Sequence, residues 1–220
     1  MMAFGRLFEK SRTQRFLCLG DSLVEGYTIK HRLEFHPFSI ELEKLLSHHL
    51  KCNVKVDTMG VSGECVIPTM AARLQAVLST GTKKYDWIII LGGTNDLGMG
   101  ADGEKLLSTL CSMHDNARAS GAHTACLAVP QIAVENEQNL SAVHDKKLKV
   151  NDGLRRYCEC SGGQSIFVDL YNELPHPAKE DPERNVYWCD MLHLTERGYD
   201  VMANIIFSAL KEHLVDSSHQ

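Results

Sequence analysis

The sequence predicts a single α/β domain in which helices cover both faces of one parallel sheet. Three observations carry that prediction. Strand-like apolar runs and helix-like periodic stretches alternate five times along the chain, as they do in successive βαβ units. The run Trp87-Ile88-Ile89-Ile90-Leu91 is uninterrupted and rich in β-branched residues, as befits a central strand buried on both faces. No repeat, low-complexity segment or linker divides the 220 residues, and a domain of that size buries about 70% of the surface of its unfolded chain.

The elements follow in order. Phe16-Leu17-Cys18-Leu19 is a short apolar run closed by Gly20, which marks a buried strand. A loop with Tyr27, Lys30 and His31 follows. Pro37 suits the first turn of a helix, whose buried face is Phe38, Leu42, Leu45, Leu46 and His49. The second strand, Val54 to Met59, ends in Gly60-Val61-Ser62-Gly63. Pro68 opens the next helix, with Ile67, Ala71, Leu74, Val77 and Leu78 as its stripe and Gly81 as its stop. The third strand, Trp87 to Leu91, runs into Gly92-Gly93-Thr94-Asn95-Asp96. A helix from about Asp102 to Ser120 stops at Gly121. His123 to Val129 is the fourth strand, and residues 131–139 form a polar loop. A helix carrying Val143, Val150, Leu154 and Tyr157 ends at Gly162-Gly163, and Ser165 to Leu170 is the fifth strand. Pro175, Pro177 and Pro182 keep the next stretch irregular. Thr195 caps the last helix, which buries Tyr199, Met202, Ile205, Ile206 and Leu210. The expected organisation is an N-terminal arm over 1–14, the domain over 15–214 and a tail over 215–220.

Composition narrows the partners. Apolar residues make up 44% and charged residues 23%, with a net charge of −5. That leaves no basic footprint for nucleic acid and little attraction to an anionic membrane. No apolar run reaches the roughly 18 residues that span a bilayer, so no stable membrane insertion is expected. The cysteines (Cys18, Cys52, Cys65, Cys111, Cys126, Cys158, Cys160 and Cys189) form no pair of Cys-x-x-Cys motifs, which argues against a structural zinc site. Reduced thiols and a cytoplasmic location are expected. The arm carries Arg6, Lys10 and Arg12 beside Phe4, Leu7 and Phe8, so a mitochondrial presequence is the alternative to a frayed terminus.

Ser22 lies just past the first strand, where open α/β sheets place their ligands. It is a candidate nucleophile, although Asp21 or Ser22 would also serve as a helix cap. A serine hydroxyl needs a base, and the base needs a partner that sets its tautomer. Asp190-x-x-His193 supplies both, three residues apart on a helix-like turn. Acyl transfer also needs donors aimed at the developing oxyanion. Gly60 offers an unshielded backbone N–H, Asn95 a side-chain amide and Ser22 its own N–H; Gly60 and Asn95 read equally well as turn residues. Ser22 lacks the last glycine of a Gly-x-Ser-x-Gly elbow, since Val24 stands there, and Ser62 has Glu64 there. His36 and His176 read as solvated loop residues, and Asp169 could line the site. Gly92-Gly93-Thr94-Asn95 lacks the Lys-Ser/Thr of a phosphate-binding loop. With no His-x-x-x-His pair, neither metal nor cofactor is expected.

Gly20-Asp21-Ser22-Leu23, Gly60, Gly92-Gly93-Thr94-Asn95-Asp96 and Asp190-x-x-His193 together resemble the four blocks of the SGNH hydrolases, the GDSL lipase/esterase family. The resemblance spans residues 15 to about 210. It implies a flavodoxin-like three-layer α/β/α fold with a five-stranded parallel sheet. It implies a serine esterase acting on small-molecule esters, with Ser22 as nucleophile, His193 as base and Asp190 as its partner. The implied oxyanion hole is the N–H groups of Ser22 and Gly60 with the Asn95 side chain. With no lid-sized insertion, short acyl chains are expected. Leu23, Val24, Leu97, Met99, Ile132 and Val134 are candidates for the acyl pocket, or for core and loop packing. An acyltransferase, lysophospholipase or thioesterase would use the same triad, and a non-catalytic binding module would use the same scaffold.

Overall fold

A computed structural model describes residues 12–29, 34–133, 141–178 and 181–214. Seven strands are assigned among them: β1 (Gln14–Gly20), β2 (Tyr27–Thr28), β3 (Glu34–Phe35), β4 (Val54–Gly60), β5 (Trp87–Leu91), β6 (His123–Leu127) and β7 (Ser165–Val168). Five of them form a parallel sheet in the order β4-β1-β5-β6-β7, and β2 and β3 form a separate antiparallel hairpin. This order is the flavodoxin-like one, in which the winding direction reverses between the first and third strands of the sheet, here β1 and β5. Gly20 pairs with Gly60 on one side and with Leu91 on the other. The segments after these three strands therefore leave the sheet at one level.

Alternating side chains of β1 and β5 feed two cores. Phe16, Cys18, Trp87 and Ile89 pack with Phe38, Leu42, Leu46, Tyr199, Met202 and Ile206, which come from the segment leading into and through the helices Ser39–Leu50 and Glu196–Lys211. Leu17, Leu19, Ile88 and Ile90 pack with Leu74, Leu106, Leu110, Val150 and Leu154, from the helices Ala71–Thr80, Gly103–Ala119 and Ser141–Glu159. The expected three layers are thus present. No helix among the described residues is long and apolar enough to cross a membrane, and all eight cysteines are free.

Several boundaries differ from the sequence expectation for identifiable reasons. β1 starts at Gln14, inside the expected arm, where its N–H donates to Asn53 O at 2.9 Å. Residues 1–11 of the arm and the tail 215–220 lie outside the described residues, as does most of the loop expected over 131–139. Pro68 does not open a regular helix. It biases Ile67 toward extended backbone, which sits at φ −103° and ψ 118° within a wide turn over Val66–Met70; the helix begins at Ala71. Past Val168, Asp169 accepts from Asn172 N and starts a helical turn at Leu170, which ends the fifth strand early. The last helix starts as expected, with the Thr195 hydroxyl accepting from Gly198 N at 3.1 Å.

Candidate active site

Asp21 and Ser22 divide the two roles their stretch allows. The Asp21 carboxylate caps the helical turn Ser22–Glu25 by accepting from Leu23 N at 3.0 Å. Ser22 heads that turn, 5% exposed, and its Oγ lies 3.0 Å from His193 Nε2. On the other side of the ring, His193 Nδ1 lies 2.7 Å from Asp190 Oδ2.

Asp190 and His193 sit on a pinched loop, not on the expected helix-like turn. Trp188 bridges to Leu194 at its base, and Cys189 N donates to His193 O at 2.9 Å. Asp190 Oδ1 accepts from the main-chain N–H groups of Leu192 and His193, while Oδ2 is left for the imidazole. One carboxylate therefore shapes the loop and orients the ring. Burial works to raise the Asp190 pKa, but the hydrogen bonds from the His193 ring and from the two N–H groups outweigh it and hold it below the usual carboxylate value. The Tyr27 ring packs 4.7 Å from the imidazole, and Tyr27 O accepts from Tyr199 OH at 2.9 Å.

The chain Ser22–His193–Asp190 opens on a cavity of about 440 Å³ lined by Ser22, Tyr27, Ile29, Ser62, Gly63, Asn95, Asp190, Leu192 and His193. Of the expected oxyanion donors, Ser22 and Asn95 are on its wall and Gly60 is not. A Cβ on Gly60 would lie 2.0 Å from Glu25 N and 2.4 Å from Glu25 Cα. Gly60 is bare because the turn carrying Ser22 packs against it. Gly63, three residues on, lines the cavity with φ +76° and open space around its Cα. Among the described residues, no main-chain carbonyl outside the regular elements accepts from Ser22 N or Gly63 N. Asn95 Nδ2 donates one hydrogen to Glu64 O at 2.9 Å, which leaves its second hydrogen for the cavity. Asp96 beside it accepts from Val66 N and Ile67 N at 2.8 and 3.0 Å.

Other expectations fall away from the site. Leu23, Val24 and Leu97 belong to the core, and Val134 lies outside the described residues. Asp169 is a cap paired with Arg155 at 2.6 Å. His176 is not solvated: it is 3% exposed, packs 4.5 Å from the Trp188 ring and places Nε2 3.4 Å from Asp190 O. His36 pairs with Asp200. Tyr27 and Ile29 reach the cavity from the β2–β3 hairpin and its loop, and a two-residue strand leaves no periodicity to read.

Burial raises the Asp21 pKa to about 6, opposed by the Leu23 N–H and the nearby His193, and assisted by Asp96. A buried acid with a raised pKa favours the folded state most when protonated, so its contribution is complete near pH 4 and lost as pH rises through about 6. Asp21→Asn keeps an oxygen for the Leu23 cap and removes the charge. It is expected to stabilise the protein by about 2–3 kcal/mol at pH 8, seen as a rise in Tm of roughly 4–10 °C. The gain should close as pH falls to 4. Equal midpoints at pH 8 would place an ionised Asp21 in the fold at no cost.

A parallel α/β sheet with a serine–histidine–carboxylate chain at its carboxyl edge has the architecture of a serine hydrolase. The chain belongs to the GDSL-like lipase/acylhydrolase family, whose model matches residues 18–201, and is by that membership a serine ester hydrolase. Solved structures share the fold at low identity. A lipase/acylhydrolase from Enterococcus faecalis is 18% identical, with 93% of this chain and 99% of that one covered and a TM-score of 0.70. Axe2, an acetylxylan esterase from Geobacillus stearothermophilus, is 17% identical, with 94% and 97% covered and a TM-score of 0.69. TesA is 20% identical, with 91% and 100% covered and a TM-score of 0.70. No curated protein sequence matches the chain.

Proposed function

We propose that the protein hydrolyses carboxylic esters of short acyl chains through an acyl-enzyme on Ser22. The observation that carries this reading is the continuous hydrogen-bonded chain from Ser22 Oγ through both nitrogens of His193 to Asp190. His193 takes the Ser22 proton as Oγ attacks the ester carbonyl, and Asp190 steadies the imidazolium. The oxyanion of the tetrahedral intermediate is received by the Ser22 N–H, the free hydrogen of the Asn95 amide and the Gly63 N–H. Gly63 replaces Gly60 in this role because it alone of the two lines the cavity. The alcohol leaves with the proton from His193, and a water activated by the same base releases the acid.

Short chains are favoured by the absence of a lid-sized insertion in the sequence, and of the apolar residues on the cavity wall Ile29 is 55% exposed. The test is hydrolysis of p-nitrophenyl esters from acetate to palmitate. The expected optimum in kcat/KM lies between acetate and hexanoate. Each further buried methylene would add about 0.8 kcal/mol if a deep acyl pocket existed, so a rise that continues to dodecanoate would replace the short-chain reading. Absence of turnover on every ester, together with no labelling of Ser22 by a fluorophosphonate, would leave a binding module.

A further inference from the structure

We infer that Arg73 is a positioning residue for this hydrolysis: one guanidinium ties the ends of two strands to the loop that carries Gly63 and orients Asn95. The inference rests on the reading of Ser22, Gly63 and Asn95 given above.

Arg73 lies in the helix Ala71–Thr80, yet its side chain turns inward and is only 23% exposed. Nη1 donates to Met59 O at 2.9 Å and Nη2 to Gly20 O at 2.9 Å, carbonyls near the carboxyl ends of β4 and β1. Nε donates to Glu64 Oε1 at 3.1 Å, and Nη2 also pairs with Glu64 Oε2. The Glu64 side chain is 8% exposed. The main-chain oxygen of that same Glu64 receives the Asn95 amide. Only Val61, Ser62 and Gly63 separate the end of β4 from Glu64. A displacement of Glu64 would therefore move the Gly63 N–H and turn the Asn95 amide together.

The loop has other attachments. Val61 N donates to Gly20 O at 3.1 Å, Glu64 N to Val61 O at 3.1 Å and Ser62 N to Glu25 Oε2 at 2.9 Å. Without Arg73 the loop would stay on the protein, held past Gly63 by Asn95 at Glu64 O and by Asp96 at Val66 N and Ile67 N. The Glu64 side chain, however, would lose its anchor to the ends of β1 and β4. Misplacement of a reacting constellation by about 1 Å is enough to cost on the order of 10²-fold in rate. Lysine cannot substitute, because the four contacts need the planar fork of donors and a point charge reaches only some of them. Glu64, left without its partner, would also carry a desolvated charge.

The test is kcat per active site in Arg73→Gln, with sites counted by end-point fluorophosphonate labelling. Counting sites removes any loss from partial unfolding. The expected result is a fall of about 10- to 100-fold in kcat per labelled site, with KM within about threefold of the native value because little ground-state binding is lost. Arg73→Lys should recover only part of it. Asn95→Ala alone should cost about 10²–10³-fold, and in that background the cost of Arg73→Gln should shrink at least about threefold, as coupled groups require. A kcat per labelled site within about twofold of native, or the full cost retained beside Asn95→Ala, would overturn the inference. If Arg73→Gln does not fold, Glu64→Gln is read the same way. It keeps the carbonyl to Asn95 and weakens the ion pair, so a drop of about fivefold or more is expected and none would overturn the inference. Labelling of the native protein somewhere other than Ser22 would remove the catalytic reading itself, whereas labelling at Ser22 with unchanged Arg73→Gln turnover removes the positioning role alone.

Discussion

Ser22→Ala is expected to lower kcat for p-nitrophenyl acetate by about 10⁴- to 10⁶-fold and to abolish fluorophosphonate labelling. The substitution takes away the one atom that faces His193 Nε2 at 3.0 Å and leaves the rest of the site in place. The Ser22 N–H remains at the head of its turn, the Asp21 cap on Leu23 N is untouched, and the Asn95 contact to Glu64 O is remote from the change. The variant should therefore fold as the native protein does and bind substrate with similar KM. What survives is catalysis by the oxyanion donors, the Asn95 amide among them, and by substrate binding, about 10³-fold above water. Turnover within tenfold of native would mean that another group attacks the ester, and the 3.0 Å contact would then be only a buried hydrogen bond.

The layered fold was legible because its signals are local and repeated. Trp87–Leu91 could hardly be anything but a buried strand, and Thr195 announced its helix three residues ahead of the N–H that it caps. Ser22 and Asn95 follow strand ends, so strand order brings their segments to one edge. Asp190 and His193 lie in the loop before the Thr195-capped helix, and only the folded loop sets them beside Ser22. Gly60 shows the limit of this reasoning. Two glycines in Gly60-Val61-Ser62-Gly63 meet the same sequence criterion, and only the packing of Glu25 against Gly60 separates them. Gly63 lies at the turn of the loop, beyond the strand proper, and that place puts it on the cavity wall.

His176 and Arg73 were hidden by a related cause. A histidine between prolines looks solvated, but the loop containing Pro175 and Pro177 folds back so that His176 packs on Trp188 behind Asp190. Arg73 interrupts the apolar stripe of its helix as any surface arginine would. Its role depends on carbonyls 14 and 53 residues away in sequence, and no periodicity registers contacts of that kind. Of the candidates for acyl pocket or core, Leu23, Val24 and Leu97 take the core reading: they are close to the site in sequence, but the helical turns after β1 and β5 rotate them inward.

Asp190→Asn separates the two tasks of one carboxylate and should cost about 10³–10⁴-fold in kcat. Asparagine retains an oxygen at the Oδ1 position, where it can accept from Leu192 N and His193 N as Asp190 does. The pinched loop should therefore persist, and Tm should move by only a few degrees. At the Oδ2 position, 2.7 Å from His193 Nδ1, an amide NH₂ now points a donor at the ring. The imidazole answers by carrying its proton on Nε2, which turns a donor toward Ser22 Oγ and removes the base. The geometry survives and the chemistry does not. Asp190→Ala differs, because it strips the loop of both main-chain acceptor contacts and should lower Tm as well as kcat. If Asp190→Asn retained more than about a tenth of native turnover, Asp190 would be a loop cap that happens to touch the imidazole, and the tautomer of His193 would have to be set from elsewhere.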